Sequence, residues 1–413
     1  MKSKNLSGKK NIIILGGGFA GVRAALDLHN YLHDNSNVEI ILVDRHDYQT
    51  YHSGLYEAAT TMHNQVAART VKRTVAIPLS DIFAKTKVKL FKGFIERIDF
   101  EKQEVVTDSR VIAYDYLVTS LGSVPDFYDI PNLDKYGFTL KSLEDAIMLR
   151  NRVEDLVLKK DAAQIIIGGG GFAGVEFAGE LHNLLRHECL EHGKELANFK
   201  VTVVEGGIGF LSGLSEKVTA MVGERLSQMM VQARFASLIT DTGKDYVVLN
   251  MKEKVDCDLL VWTGGVRATT LPVDEIFEHD KKGRTVVSEF LNLPKYPNVF
   301  LAGDNICFTD PSTKRTVPQT AQEAIRQGEI AAKNISRSLK GKQLLPYHPG
   351  STRFIIPVSG KYAIFYTPNL IIAGKLGWLI RKAADLRYFM SILPWLTAFK
   401  YWLFENQIFM KND

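Results

Sequence analysis

Three glycines at G-x-G-x-x-G spacing, Gly16, Gly18 and Gly21, follow directly on the apolar run Ile12–Leu15. The pattern IIILGGGFAGV of Ile12–Val22 returns as IIIGGGGFAGV over Ile165–Val175, which sets Gly169, Gly171 and Gly174 behind a second apolar run. Such a turn brings backbone N–H groups against a pyrophosphate. The first glycine permits the tight turn, the second the approach of the phosphates, and the third close packing of helix on strand. The helix N-terminus adds unpaired donors and a partial positive charge. The next strand, Val38–Val43, ends at Asp44; in the later copy Lys200–Val204 ends at Glu205. A carboxylate at that place accepts hydrogen bonds from a ribose diol. One copy could be a plain strand-to-helix turn. Two, each with strand, helix and terminal acid, predict two sites for nucleotide-bearing cofactors, the equipment for passing electrons from a nicotinamide to a flavin.

The copies diverge just past the glycines, where Arg23 corresponds to Glu176. A glutamate in the first helical turn offsets the helix dipole by about 0.3–1 kcal/mol. It could equally aim a carboxylate at whatever lies above the second nucleotide. Spacing alone leaves both readings open.

The elements that must position these residues follow from pattern. Tyr114–Ser120 reads as a strand, Leu121–Pro125 as a closing turn, and Pro131–Lys141 as a crossing into a second domain. Leu143–Lys159 is helix-patterned. Asp256–Trp262 reads as a strand, followed by a turn over Thr263–Gly265. Beyond Pro294 the chain returns to the first domain with a strand at Asn298–Ala302, a turn at Gly303-Asp304 and a long helix over Gln319–Leu339. The expected fold is α/β, with two Rossmann-like domains. One is discontinuous, over 10–115 and 290–345; the other covers 116–289; a tail covers 346–413.

The tail differs in chemistry. It holds Trp378, Trp395 and Trp402 among many Phe, Leu and Ile residues, interleaved with Lys375, Arg381, Lys382, Arg387 and Lys400. Leu376–Leu393 and Trp395–Phe409 read as amphipathic helices. Aromatic and basic residues on such helices suit a membrane interface with anionic lipid; the alternative is a dimer seam or packing on the core.

Bulk properties narrow the function classes. A chain of 413 residues with 46% hydrophobic and 23% charged residues forms two or three globular domains. The net charge of +5 is too small to suggest nucleic acid, and no basic-aromatic binding motif supports it. Cys189, Cys257 and Cys307 are far apart, so no redox-active close pair and no metal-ligand cluster is expected. The polar, basic start over residues 1–9 reads as a flexible arm rather than a secretory signal. No run is apolar enough to predict a membrane span.

In this order the motifs resemble the type II NADH dehydrogenases, non-proton-pumping NADH:quinone oxidoreductases with glutathione-reductase-like domains. The resemblance runs over roughly residues 10–405 and rests on both glycine motifs, Leu55-Tyr-Glu57, Tyr114–Ser123, Leu301–Asp304, Thr320-Ala-Gln322 and the tail. It implies FAD in the first domain, held by Gly16, Gly18, Phe19, Ala20, Gly21, Asp44 and Arg45. Thr119–Gly122 would line the adenine-ribose side, and Asp304 would reach the flavin end. It implies NADH on Gly169, Gly171, Phe172, Gly174, Glu205 and Gly265. Glu205 would select a free 2′-hydroxyl, because no Arg or Lys follows closely in EGGIGFLSG. Glu176 would handle or position a proton near the flavin and the quinone. Ala321 and Gln322 match the family's quinone site, but Arg326 stands where a second Gln is expected, with Gln327 one place later on another helix face. The resemblance further implies a homodimer bound peripherally at the cytoplasmic face of the cell membrane. Alternatives are a sulfide:quinone oxidoreductase and a soluble FAD-dependent NADH reductase or oxidase.

Overall fold

A computed structural model describes residues 8–62, 68–351 and 353–410; the arm expected at residues 1–9 lies mostly outside them. Two five-stranded, fully parallel sheets carry the two glycine motifs. In the first, the strand order is Val299–Leu301, Tyr116–Thr119, Lys10–Leu15, Val38–Asp44, Val88–Lys92. In the second it is Gly137–Thr139, Leu259–Trp262, Ala163–Gly168, Phe199–Val204, Gln232–Arg234. The motif strand is central in both. Ile12, Ile13, Ile14 and Leu15 are wholly buried, as a parallel strand covered on both faces requires.

The duplication extends past the motif. In each half an antiparallel three-stranded meander precedes the strand that flanks the motif strand: Ile95–Asp99, Glu104–Thr107 and Val111–Ala113 in the first, Ile239–Thr242, Tyr246–Leu249 and Glu253–Asp256 in the second. Register then sets the acids. Leu15 lies opposite Val43 and Gly168 opposite Val204. Asp44 and Glu205 therefore stand one residue beyond the partner of each motif strand's last residue, at the carboxyl edge where such sheets bind ligands.

Helices form at Phe19–Leu32, Phe172–Glu191, Ala321–Leu339 and Leu143–Lys159, the last with a capping box between Ser142 and Asp145. Two expectations need correction. Tyr116–Thr119 pairs with both Lys10–Leu15 and Val299–Leu301, so a boundary at residue 116 severs a strand from its own sheet. Ser123–Pro125 is not part of a turn but a short strand antiparallel to Val266–Ala268, forming a ribbon between the halves. Val124 precedes Pro125, and a residue in that place is driven to extended backbone.

The tail begins with a three-stranded sheet that the sequence pattern did not reveal, Phe354–Pro357, Ala363–Thr367 and Leu370–Gly374. Two helices follow, Lys375–Ile392 and Trp395–Phe409. They are not simply amphipathic. Arg381, Lys382 and Asp385 point inward beside Phe389 and Ile392, and Glu405 and Asn406 do so on the second helix. Leu376, Leu379, Met390, Trp395, Leu396, Phe399 and Leu403 face out, and Trp395 is 67% exposed.

Candidate active site

A cavity of about 1370 Å³ opens at the carboxyl edge of the first sheet and reaches the second motif's helix and the tail. Its wall contains Gly16, Gly18, Phe19, Ala20, Asp44, Arg45 and Gly122, with Asp304, Phe172, Glu176, Ala321 and Gln322. These predicted residues, scattered over much of the chain, are thus brought together.

The three glycines of the first motif differ in what confines them. Gly16 has φ +97°, and a Cβ there would meet the Ser120 carbonyl oxygen at 2.3 Å. A Cβ on Gly21 would lie 1.9 Å from the Gly16 carbonyl oxygen. A Cβ on Gly18 would meet no protein atom within 4 Å, and Gly18 lines the cavity. The protein leaves that space free, which fits a dinucleotide pyrophosphate on the backbone. Asp44 accepts from the Gly17 N–H at 2.5 Å and the His46 N–H at 2.7 Å, which fixes its carboxylate at the strand end.

The second motif repeats this geometry. A Cβ on Gly174 would lie 1.9 Å from the Gly169 carbonyl oxygen, while Gly171 faces open space. Glu205 accepts from Gly170 N–H at 2.6 Å and Gly207 N–H at 2.7 Å. Gly169, Gly171, Gly174 and Glu205 lie outside the cavity; Phe172, Ala173 and Glu176, further along the same helix, line it. Gly265 sits under the Tyr128 hydroxyl, 2.3 Å from where its Cβ would be.

Glu176 is the fifth residue of the Phe172–Glu191 helix, past the first turn, so the dipole reading weakens. Burial pushes its carboxyl up to about 8, against the pull of Arg381 and with the help of Glu57 and Asp385. Protonation is therefore favoured more in the folded chain than in the unfolded one, where the carboxyl ionises near 4.5. The associated stability is fully present below that value and is lost as pH rises through about 8. Glu176→Gln mimics the neutral form. Its stability relative to the parent should rise between pH 5 and 9, by on the order of 3 kcal/mol, in urea unfolding. A pH-independent difference would refute this account.

Thr119 and Arg326, like Gly21 and Gly265, also lie off the cavity wall. Thr119 is fully buried within its strand, while Ser120, Leu121 and Gly122 line the cavity. Arg326 is outside the cavity wall, with its guanidinium half exposed against Gly350 and 3.8 Å from Glu323. Gln327 is no substitute for the second Gln. It is buried, accepts from the Gly303 N–H at 2.7 Å, and so anchors the turn that presents Asp304.

The sequence also concealed several wall residues. Ser123 donates to Asp304, and Lys141 Nζ lies 3.6 Å from it. His52 Nδ1 is 3.1 Å from the Thr50 carbonyl oxygen; since a carbonyl only accepts, Nδ1 carries the hydrogen and Nε2 is left as an acceptor. Burial, assisted by Lys141, pushes the His52 pKa down to about 4, so the ring is neutral. Arg381, read from sequence as one of the tail's interleaved basic residues, and Asp385 line the cavity from the tail helix. The Arg381 Nε is 3.0 Å from both Asp385 oxygens, and its other nitrogens donate to the Tyr56 hydroxyl at 2.7 Å and the Ser53 carbonyl at 2.8 Å. Their spacing matched a helix surface, and only the fold shows that this surface is internal.

Two Rossmann-type sheets, each with a glycine turn and a terminal acid, and a cavity that runs from the first turn to the helix behind the second, define a two-dinucleotide oxidoreductase scaffold. The chain belongs to the pyridine nucleotide-disulphide oxidoreductase family, whose model matches residues 10–328. A Staphylococcus aureus protein named type II NADH:quinone oxidoreductase is 29% identical over 403 residues, covering 95% of this chain and 98% of its own. Among solved structures, NDH2 from Plasmodium falciparum in complex with NADH superposes with a TM-score of 0.82 at 15% identity, over 97% of this chain and 98% of that one. The sulfide:quinone oxidoreductase of Aquifex aeolicus gives 0.75 at 19% identity, over 92% and 90%. The disulphide in the family's name has no counterpart here, because Cys189 and Cys257 are buried and none of the three cysteines lines the cavity.

Proposed function

We propose that the protein is an FAD-dependent NADH:quinone oxidoreductase that moves two electrons without pumping protons. The single observation that carries this reading is the continuity of the cavity. It runs from the first glycine turn past Phe172 and Glu176, on the second motif's helix, to Gln322 and the first tail helix.

Gly16, Gly18, Ala20 and the Asp44 carboxylate would hold FAD, whose flavin supplies a two-electron hydride acceptor when bound. Gly169, Gly171, Gly174 and Glu205 would hold NADH, with the Glu205 carboxylate repelling a 2′-phosphate. Phe172 and Glu176 line the cavity from the helix that follows the second glycine turn. The chain contributes proximity, exclusion of water and a proton-holding carboxyl rather than a nucleophile. Ala321 and Gln322 form the wall where a quinone would dock. The sulfide reading needs cysteine sulfur at the flavin face, and the cavity wall offers none.

No helix among the described residues is long and apolar enough to cross a membrane. The outward Leu376, Leu379, Trp395, Leu396 and Phe399, flanked by exposed Lys375 and Lys400, support peripheral docking on an anionic bilayer. The cytoplasmic side suits free cysteines. Leu379→Glu with Leu396→Glu should abolish co-flotation with anionic vesicles while NADH still bleaches the flavin. Unchanged flotation, with loss of a dimer instead, would assign this face to a second copy of the chain.

The deciding experiment is an anaerobic flavin spectrum. NADH should bleach it, NADPH much less so, and a soluble quinone should restore it. Bleaching by sulfide but not NADH would overturn the reading in favour of sulfide chemistry.

A further inference from the structure

Behind the cavity wall lies an acid that the reading above leaves idle. Glu405, on the Trp395–Phe409 helix, is 1% exposed. Among the described residues neither of its carboxyl oxygens has a hydrogen-bond partner. The charged groups that face it are Asp385, Lys382 and Arg381 from the Lys375–Ile392 helix and Glu57 from the Leu55–Ala59 helix. Tyr51, at the cavity wall, faces it too.

The cations are already engaged. Lys382 Nζ lies 3.5 Å from Glu57, and the Arg381 guanidinium is shared among Asp385, Tyr56 and Ser53, with Glu57 at 3.7 Å. An ionised Glu405 would be a buried charge without a donor, a state that proteins avoid by protonation. Burial, with Asp385 and Glu57, holds its carboxyl well above the usual range against Lys382 and Arg381.

This acid is one residue removed from the cavity. Asp385 and Arg381 line the cavity and also face Glu405. The Tyr51 hydroxyl donates to Asp385 at 2.5 Å. From the cavity side, Glu176 faces Arg381, Glu57 and Asp385. Four carboxyls, Glu57, Glu176, Asp385 and Glu405, thus share two cations, Arg381 and Lys382; four less two leaves two acids that are neutral only when protonated.

We infer that Glu405 is a buried carboxylic acid that stores a proton for the cavity and releases it towards Glu176. The inference rests on the quinone reading. There the balance is NADH + H⁺ + quinone → NAD⁺ + hydroquinone. The hydride supplies both electrons and one proton, so a second proton is needed at the quinone, and Glu405 is placed to supply it. The Glu405 O–H bond breaks, a quinone O–H bond forms, and the Glu405 carboxylate recovers a proton from solvent. No electrons pass through the store.

Two measurements on the full-length, flavin-loaded protein test this. The first is an infrared spectrum without NADH at neutral pH. Protonated carboxyl C=O absorption from both Glu176 and Glu405 should be present; Glu405→Gln should remove one band and leave the other, which Glu176→Gln should remove instead. Should Glu405→Gln not fold, Glu405→Asp should shift the Glu405 band instead. The second mixes NADH-reduced protein with a soluble quinone in weakly buffered indicator dye. Flavin reoxidation should precede proton uptake from bulk in the parent and coincide with it in Glu405→Gln. Absence of a band sensitive to residue 405, or a lag that survives in Glu405→Gln, overturns the assignment. If quinone leaves the flavin reduced, the quinone reading falls and the store's purpose with it, whatever the band shows.

Discussion

Replacing Arg381 by methionine should lower stability by about 3–5 kcal/mol, the cost of removing one partner from a buried ion pair. The residue is 6% exposed and donates to Asp385, Tyr56 and Ser53 at once. Its loss strands Asp385 and brings the carboxyls of Glu57 and Glu176 together without their common counter-charge. Arg381→Lys keeps the charge but not the planar fork, so it should recover only part of the loss. A double change that also removes the acid, Arg381→Met with Asp385→Leu, should be milder than the single one, because burying an ion pair costs desolvation that apolar side chains avoid. Urea unfolding of the three variants decides the matter. If Arg381→Met unfolds at the parent's urea concentration, the cluster is not what holds the tail helix to the cavity.

The second large effect separates two glycines that the motif treats alike. Gly21→Ala should fail to retain FAD and should lose about 3 kcal/mol or more, since overpacking against backbone cannot relax by a rotamer change. The new Cβ would sit 1.9 Å from the Gly16 carbonyl oxygen. Gly18→Ala should behave oppositely. Its φ of −78° and ψ of −168° suit any residue, and no protein atom is near the added methyl. The fold should survive within about 1 kcal/mol, while flavin affinity falls at least roughly tenfold, which is about 1.4 kcal/mol. Thermal unfolding of the flavin-free proteins, paired with flavin titration, reads both quantities. A destabilised Gly18→Ala, or a flavin-retaining Gly21→Ala, would show that the cradle is built differently. Gly171→Ala and Gly174→Ala repeat the contrast for NADH.

What the sequence disclosed follows from what is local. The glycine turns, their strands, the acids Asp44 and Glu205, and the helix at Leu143–Lys159 depend on residues a few positions apart, and all are found as read. Long-range pairing was less visible. Tyr116–Thr119 carries no mark of which sheet it joins, and only its register with Lys10–Leu15 settles it. The tail sheet over residues 354–374 was hidden because its strands alternate weakly and are only partly buried. The hardest case was polarity. A helix with basic residues among aromatics looks lipid-facing, yet Arg381 and Lys382 are internal because Glu57 and Asp385 await them. No pattern within the tail announces an acid more than three hundred positions earlier. Gln327 shows the same limit, since its partner Gly303 lies on another element.

The tail helices turn charge inward and grease outward, and this bears on how such a protein can be trimmed. A chain cut after Gly374 would shed the outward apolar residues of both tail helices. It would also shed Arg381, Asp385 and Tyr388, which are one wall of the reaction chamber. Tail and chamber are therefore one machine part. A protease that clips this segment would act as an off-switch rather than as a means of release.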